Sequence, residues 1–223
     1  MKLLALETAT EACSAALLVG EEVLERFQVS PRGHSQLILP MVDELLAEAG
    51  ITVHQLDGIA FGRGPGAFTG LRIAVGVTQG IAFAADLPVI PVSTLAALAQ
   101  GCEADRVLTA IDARMDEVYW GVYQRNSGGV MTIQGKEQVL SPGEVPVPDG
   151  EGWFGAGSGW DSYRDILKQH CGQQLAGLDG QRLPRAGDVA RLGAVYFRAG
   201  EVVRAEQAMP VYLRDQVAWQ KSS

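Results

Sequence analysis

Glu7 and Asp112 occupy matching places in the chain: each ends a short apolar run, Ala5-Leu6 before one and Ala110-Ile111 before the other, and each opens a turn. Carboxylates so placed can hold a divalent metal through water, or they can sit solvated at a strand end, and residue type leaves both readings open. Phosphate binding would require the turns Glu7-Thr8-Ala9-Thr10 and Asp112-Ala113-Arg114 to approach an anion closely. Neither turn carries the glycine that allows such an approach. Gly155-Ala156-Gly157 could lie beneath a flat adenine, although glycines also serve strand-to-helix turns for structural reasons. Glu7, Thr8, Asp112, Gly155 and Gly157 together are the candidate remnant of a nucleotide cleft.

Other reactive residues form no working set. The loop Gly62-Arg63-Gly64-Pro65-Gly66 lacks the Gly-Lys-Ser/Thr of a phosphate loop, and Pro65 breaks the dinucleotide spacing, so a tight structural turn is preferred to an anion site. His34, His54 and His170 are the only histidines, and none has a second histidine at ligand spacing, so no metal is expected. His34, at the start of a helix, reads as exposed or touching a partner. The serines lack a nucleophile elbow. Cys13 and Cys102 stand in apolar or small-residue surroundings that favour burial over reactivity. Tyr119, Trp120 and Tyr123 alternate along a strand, which makes them half core and half surface rather than a stacking platform. The expectation is a chain without a self-sufficient active site and without a cofactor.

The elements that would position these residues fall into two similar halves. Leu3–Leu6, Ala12–Val19 and Val23–Val29 read as three antiparallel strands, with Gly20-Glu21-Glu22 as a turn. His34–Gly50 is helical, with Leu37, Ile38, Met41, Val42, Leu45, Leu46 and Ala49 apolar over a wide arc that predicts contact beyond the chain's own core. Pro40 predicts either a kink or a later start. Asp57–Gly62 is a strand, Thr69 is the expected N-cap of an apolar helix reaching Ala85, and Leu87–Val92 is another strand. Gly76 and Gly80 each cost that helix about 1 kcal/mol relative to alanine, which predicts a bare face against another backbone. Ser93 or Thr94 can cap a helix over Leu95–Gln100.

The pattern then restarts. Val107–Ile111 and Val118–Tyr123 are strands around a turn at 112–116, and Asn126–Gly129 turns into Val130–Ile133. Ala5-Leu6-Glu7 falls on Ala110-Ile111-Asp112, and the same offset carries Glu11 onto Asp116. After a proline-rich loop at Pro142–Pro148 come a short strand into glycines, a helix over Ser162–His170, a loop at Gly172–Pro184 and a helix over Val189–Arg198. The tail Met209–Arg214 is apolar enough to dock. Two tandem βββαβα units predict an α/β protein of the actin-like (ribonuclease H-like) architecture, with subdomains at 1–104 and 105–223, the end of the chain packing back on the first.

The totals fit. The chain has 223 residues, 47% hydrophobic and 20% charged, with a net charge of −8, which opposes a broad phosphate-binding surface. Three scattered cysteines make no disulfide framework, and the apolar N-terminal run is too short for a signal or a span. A cytoplasmic, membrane-free protein is expected.

Four segments carry a resemblance: Leu6–Ser14, Gly62–Arg72 with its GRGPGAFTGLR string, Ile111–Arg114 and Pro210–Arg214. They are similar, nearly end to end, to the TsaB (YeaZ) family of bacterial proteins. The resemblance implies an actin-like fold and a non-catalytic part in forming N6-threonylcarbamoyladenosine (t6A) beside the anticodon of tRNA. It implies pairing with the paralogue TsaD, which transfers the threonylcarbamoyl group, work with the ATPase TsaE, a homodimer in isolation, and tRNA contact mainly through the complex. Continuing the TsaD register places Thr94 and Leu98 where that protein has metal-binding histidines, so no metal is implied. Glu7 departs from the aspartate of many relatives. The family's pairing surface, a bundle of the first two helices, carries over onto His34, Leu37, Ile38, Met41 and Leu45 and onto Arg72, Val75, Gly76, Gln79, Gly80 and Phe83. An ATP-using phosphotransferase of the same fold is the alternative.

Overall fold

Short apolar runs separated by tight turns give the first sheet. In the computed structural model, which describes residues 1–214, β1 (Lys2–Glu7), β2 (Ala12–Val19) and β3 (Glu22–Val29) form an antiparallel meander. The last residues of the expected second subdomain, 215–223, lie outside the described residues. Helix α1 (His34–Ala49) follows and is ended by Gly50 in the left-handed conformation. Then come β4 (Gly58–Gly62), α2 (Phe68–Ala85), β5 (Val89–Val92) and α3 (Thr94–Gln100). β4 and β5 join parallel to β1, giving the order β3-β2-β1-β4-β5.

The second sheet repeats this order with β6 (Arg106–Arg114) at its centre. β7 (Glu117–Arg125) pairs antiparallel to β6, and β8 (Met131–Ile133) and β9 (Gln138–Leu140) both pair with β7. β10 (Trp153–Ala156) and β11 (Leu175–Asp179) run parallel on the other side, for the order β11-β10-β6-β7-β8. Between β10 and β11 stand α4 (Gly159–Ser162) and α5 (Arg164–Cys171), and α6 (Ala186–Arg198) follows. The chain therefore holds two tandem actin-like units.

The second unit departs from the first in one place. No helix stands where α1 would be; the proline-bearing segment 141–152 fills that position. Prolines lack the N–H that a helix interior needs, and the loop is held instead by side chains. Trp120 Nε1 donates to the Pro146 carbonyl at 3.1 Å, and a ring nitrogen of His170 lies 2.8 Å from the Val145 carbonyl. Beneath it Trp120 and Trp160 pack with ring centroids 5.9 Å apart, and Trp160 Nε1 donates to Leu108 O at 2.8 Å. Trp120 and Tyr123 are both buried, further inside than a half-exposed strand predicts.

Tertiary packing divides the chain differently from a cut at 104/105. Among the described residues, 1–97 and 184–211 form one unit, and 98–183 with 212–214 form the other. α6 explains the difference. The first sheet has α1 and α2 on one face, over Leu4, Leu6, Cys13, Ala15, Leu17, Ile59 and Phe61. Its other face is covered by α6: Ala186 N donates to Ser14 Oγ at 2.9 Å, and Gly193 comes so close to Ala60 that an added Cβ would lie 2.7 Å from the alanine methyl.

Several boundaries move for local reasons. Residues Leu175–Asp179, expected as loop, are the edge strand β11, which pairs with β10 although its sequence carries a glycine. Asp112 belongs to β6, opposite Val118, and the turn is confined to Arg114-Met115-Asp116, all three with left-handed φ. α1 runs through Pro40, with no later start. Ser93 Oγ accepts from Leu95 N and Ala96 N at 3.1 and 3.2 Å, so it is the cap of α3. The tail docks through Val211 N, which donates to the Arg63 carbonyl at 2.8 Å.

Candidate functional site

The β1–β2 turn is closed over by the glycine loop. Glu7 is buried; its carboxylate accepts from Ala9 N at 2.7 Å and from Thr94 Oγ1 at 3.1 Å. It lies on Gly62, where any Cβ would overlap its oxygens. Gly66 meets the Ala9 carbonyl and Gly70 the Thr8 carbonyl in the same manner. Thr8 Oγ1 donates to Gly70 O and Ala67 N to Ala9 O, each at 2.7 Å. The loop is therefore a structural turn: its glycines admit the turn's backbone and the Glu7 side chain. Burial pushes the Glu7 carboxyl up to about 7, opposed by the hydrogen bonds from Ala9 and Thr94. Burial, with the Glu7 charge second, pushes Cys13 up to about 11.

This closure corrects two expectations. Glu7 is no solvated strand-end carboxylate. Thr69 is not the cap of α2, which starts at Phe68 with Ala67, two residues before Thr69, at the N-cap and no side-chain cap; the Ala67 N–H is held by the Ala9 carbonyl. Thr94, at the position the resemblance compares with a metal-binding histidine, is buried and bound to Glu7.

In the second unit Asp112 is surrounded by internal donors. Its oxygens receive Arg114 N at 2.8 Å, Arg114 Nη1 at 3.1 Å, Ser162 Oγ at 3.3 Å and Tyr163 OH at 3.5 Å. Gly155 is flat against the Trp160 ring, and Gly157, at φ +107°, lies under the Ala110 carbonyl. Both glycines thus have packing reasons to be there. Among the described residues no group of three or more His, Cys, Asp or Glu side chains is placed to hold a metal.

The two helices of the first unit divide sharply. On α1, Ile38 and Leu45 are fully buried, and Met41 is buried with them against Leu6 and Phe61. The wide apolar arc is therefore taken up by the chain's own core, with Leu37 half-buried and Leu39 the large apolar residue left outside at 48% exposed. His34 is likewise buried, its Nε2 lying 2.9 Å from Thr10 O and 3.2 Å from Ala12 O, carbonyls that the β1–β2 turn leaves in need of a donor. His34, Ile38, Met41 and Leu45 are corrected from surface to core. Val75, on α2, is also buried.

The rest of α2 faces outward. Leu71, Ala74, Thr78 and Ala82 lie on the sheet, while Arg72, Gly76, Gly80 and Phe83 are exposed, Phe83 at 80%. A Cβ added at Gly76 or Gly80 meets nothing within 4 Å. At one end Arg72 stacks over Phe68, 3.8 Å from the ring centroid. By length and composition alone α2 could cross a membrane, but its Leu71–Ala82 stripe is committed to the core. Beside the glycines is an open groove of about 590 Å³, its far wall formed by Ala205 and Glu206. Gln79 Nε2 donates to the Ala208 carbonyl at 3.0 Å and fixes that wall to the helix. Nothing in the sequence signals this partnership, because 129 residues separate its ends.

Comparison with known proteins matches these features to one group. The family model for TsaD, tRNA N6-adenosine threonylcarbamoyltransferase, matches residues 28–221. The tRNA threonylcarbamoyladenosine biosynthesis protein TsaB of Escherichia coli is 45% identical over 99% of this chain and 98% of its own length. That of Haemophilus influenzae is 41% identical over 99% and 97%. The structure of YeaZ from Pseudomonas aeruginosa superposes with a TM-score of 0.88 at 52% identity, covering 95% of this chain and 99% of that one. With identity sustained over the whole length, this chain belongs to the TsaB (YeaZ) family, within the wider group that the TsaD model describes.

Proposed function

We propose that this chain is a non-catalytic subunit in the formation of N6-threonylcarbamoyladenosine in tRNA, docking a TsaD-type transferase through the outward face of α2. The observation that carries this reading is the pair Gly76 and Gly80, exposed in mid-helix with open space above them. Each weakens the helix by about 1 kcal/mol relative to alanine and gains no packing within the chain in return. A second helix crossing there at short range supplies what is missing. Arg72, Gln79 and Phe83 border the crossing; from α1, Leu37 is the residue of the expected set still partly accessible. The names of the relatives supply the pathway. TsaE and tRNA join through the complex, the chain pairs with itself when alone, and the work is cytoplasmic.

The test is Gly80→Leu. It fills open space, so the isolated fold stays intact by thermal melting, while affinity for TsaD falls by a hundredfold or more. Unchanged binding overturns the assigned face. Depletion of the chain lowers t6A in tRNA; normal levels overturn the pathway.

The competing reading, an ATP-using phosphotransferase with Glu7 and Asp112 on a metal, is opposed by the chemistry around both. Glu7 is sealed under Gly62, and Asp112 is filled by internal donors. Calorimetry with Mg-ATP discriminates: micromolar binding by the isolated chain that Asp112→Ala abolishes favours the enzyme.

A further inference from the structure

The groove beside α2 has one wall that the helix does not supply. The short 3-10 turn Ala205–Gln207 stands across from Gly76, Gly80 and Phe83. Two ties hold it there: Gln79 Nε2 to Ala208 O at 3.0 Å, and a bridge between Val203 and Val89 of β5, with bonds of 2.8 and 2.9 Å. The wall is therefore fixed before anything binds. Its lining is apolar apart from Gln79, whose amide is engaged, and Glu206, the one charged residue among the lining residues. Glu206 is exposed, and its ion pair with Arg204 is long at 4.0 Å between two solvated side chains. Such pairs are weak and leave the carboxylate available.

We infer that residues Ala205 and Glu206 are the specificity wall of the docking surface, which admits a partner helix carrying a bulky apolar side chain with a lysine or arginine about one turn away. This rests on the docking reading above and adds its chemistry. The apolar side chain fills the groove between the glycines and Ala205. The cation meets Glu206 at the rim of the groove, whose lining carries no other charge, on a chain whose net charge is −8. Rim charges of this kind act on association rate and salt dependence and disfavour partners with an acid at that place.

The experiment compares Glu206→Lys and Gly80→Leu for binding to TsaD of the same organism at low and high salt, with the melting temperature and self-association of each variant measured alongside. Glu206→Lys retains the fold, since the side chain is exposed, weakens binding about tenfold at low salt and flattens its salt dependence. Gln79→Ala, which removes one of the wall's two ties, weakens binding without changing the salt dependence. Loss of binding in Gly80→Leu with no effect of Glu206→Lys leaves the docking face standing and overturns the wall. An effect of Glu206→Lys on self-association alone assigns the groove to a second copy of this chain and also overturns the proposal. Insensitivity of TsaD binding to both variants removes the docking face itself.

Discussion

The glycines at the start of the Gly62–Ala85 stretch and those in its middle follow one another at similar spacing and have opposite surroundings. Gly62, Gly66 and Gly70 are pressed against Glu7, Ala9 and Thr8, with no room for a single added carbon. Gly76 and Gly80 have nothing above them. The first set is required by the chain's own fold; the second is costly to the isolated chain, and the docking we propose is what accounts for it. Glycine spacing in a sequence therefore says that a backbone is to be approached, not by whom.

The largest effect that tests this contrast is Gly70→Ala. Its methyl would overlap the Thr8 carbonyl, which is backbone and cannot swing aside, so a loss of about 3 kcal/mol is expected in denaturant unfolding. A loss below 1 kcal/mol would mean the turn yields and the first set is not required. The second effect concerns the group sealed by these glycines. Glu7 has its folded pKa raised to about 7 from 4.5, so the folded state keeps a proton that the unfolded state gives up. Its contribution is fully present below about pH 4.5 and is lost as pH rises to about 7, a change on the order of 3 kcal/mol. Urea unfolding at pH 5 and pH 8 measures it, and Glu7→Gln should flatten that difference; an unchanged slope in the variant assigns it elsewhere. The smallest effect has the opposite sign. Gly76→Ala should stabilise the isolated chain by about 1 kcal/mol, since an exposed helical glycine gains propensity and meets no obstacle. The same glycine-to-alanine change that damages residue 70 should thus improve residue 76, and destabilisation at both would erase the distinction.

How far the residues reveal this depends on whether a signal is local. The meander β1–β3 and its copy at β6 and β7 were legible from alternation and from the Glu7/Asp112 offset, because turns and strands this short are set by neighbours in sequence. Gly50 ended α1 as read, for the same reason. Long-range contacts set the rest. His34 looked like a surface residue until Thr10 and Ala12 carbonyls claimed it. Thr69 looked like a cap, but α2 already begins at Phe68, where the loop is pinned by the bond from Ala67 N to the Ala9 carbonyl. β11 is a strand because β10 lies beside it, and α6 belongs to the first sheet because Ser14 and Ala60 await it. For the candidate site, the glycine face could be read but its far wall could not, since Ala205 and Glu206 carry no pattern linking them to α2.

The position of α6 also sets a schedule for synthesis. The first sheet has all five strands once residue 92 is made, yet the face holding Ser14 and Ala60 stays uncovered until residues 186–198 leave the ribosome. At typical elongation rates that wait lasts roughly 5–20 s, during which a nearly complete sheet has one bare side. The N-terminal unit cannot be finished first and the C-terminal unit added afterwards; the first unit closes only near the end of translation, after the strands of the second are made.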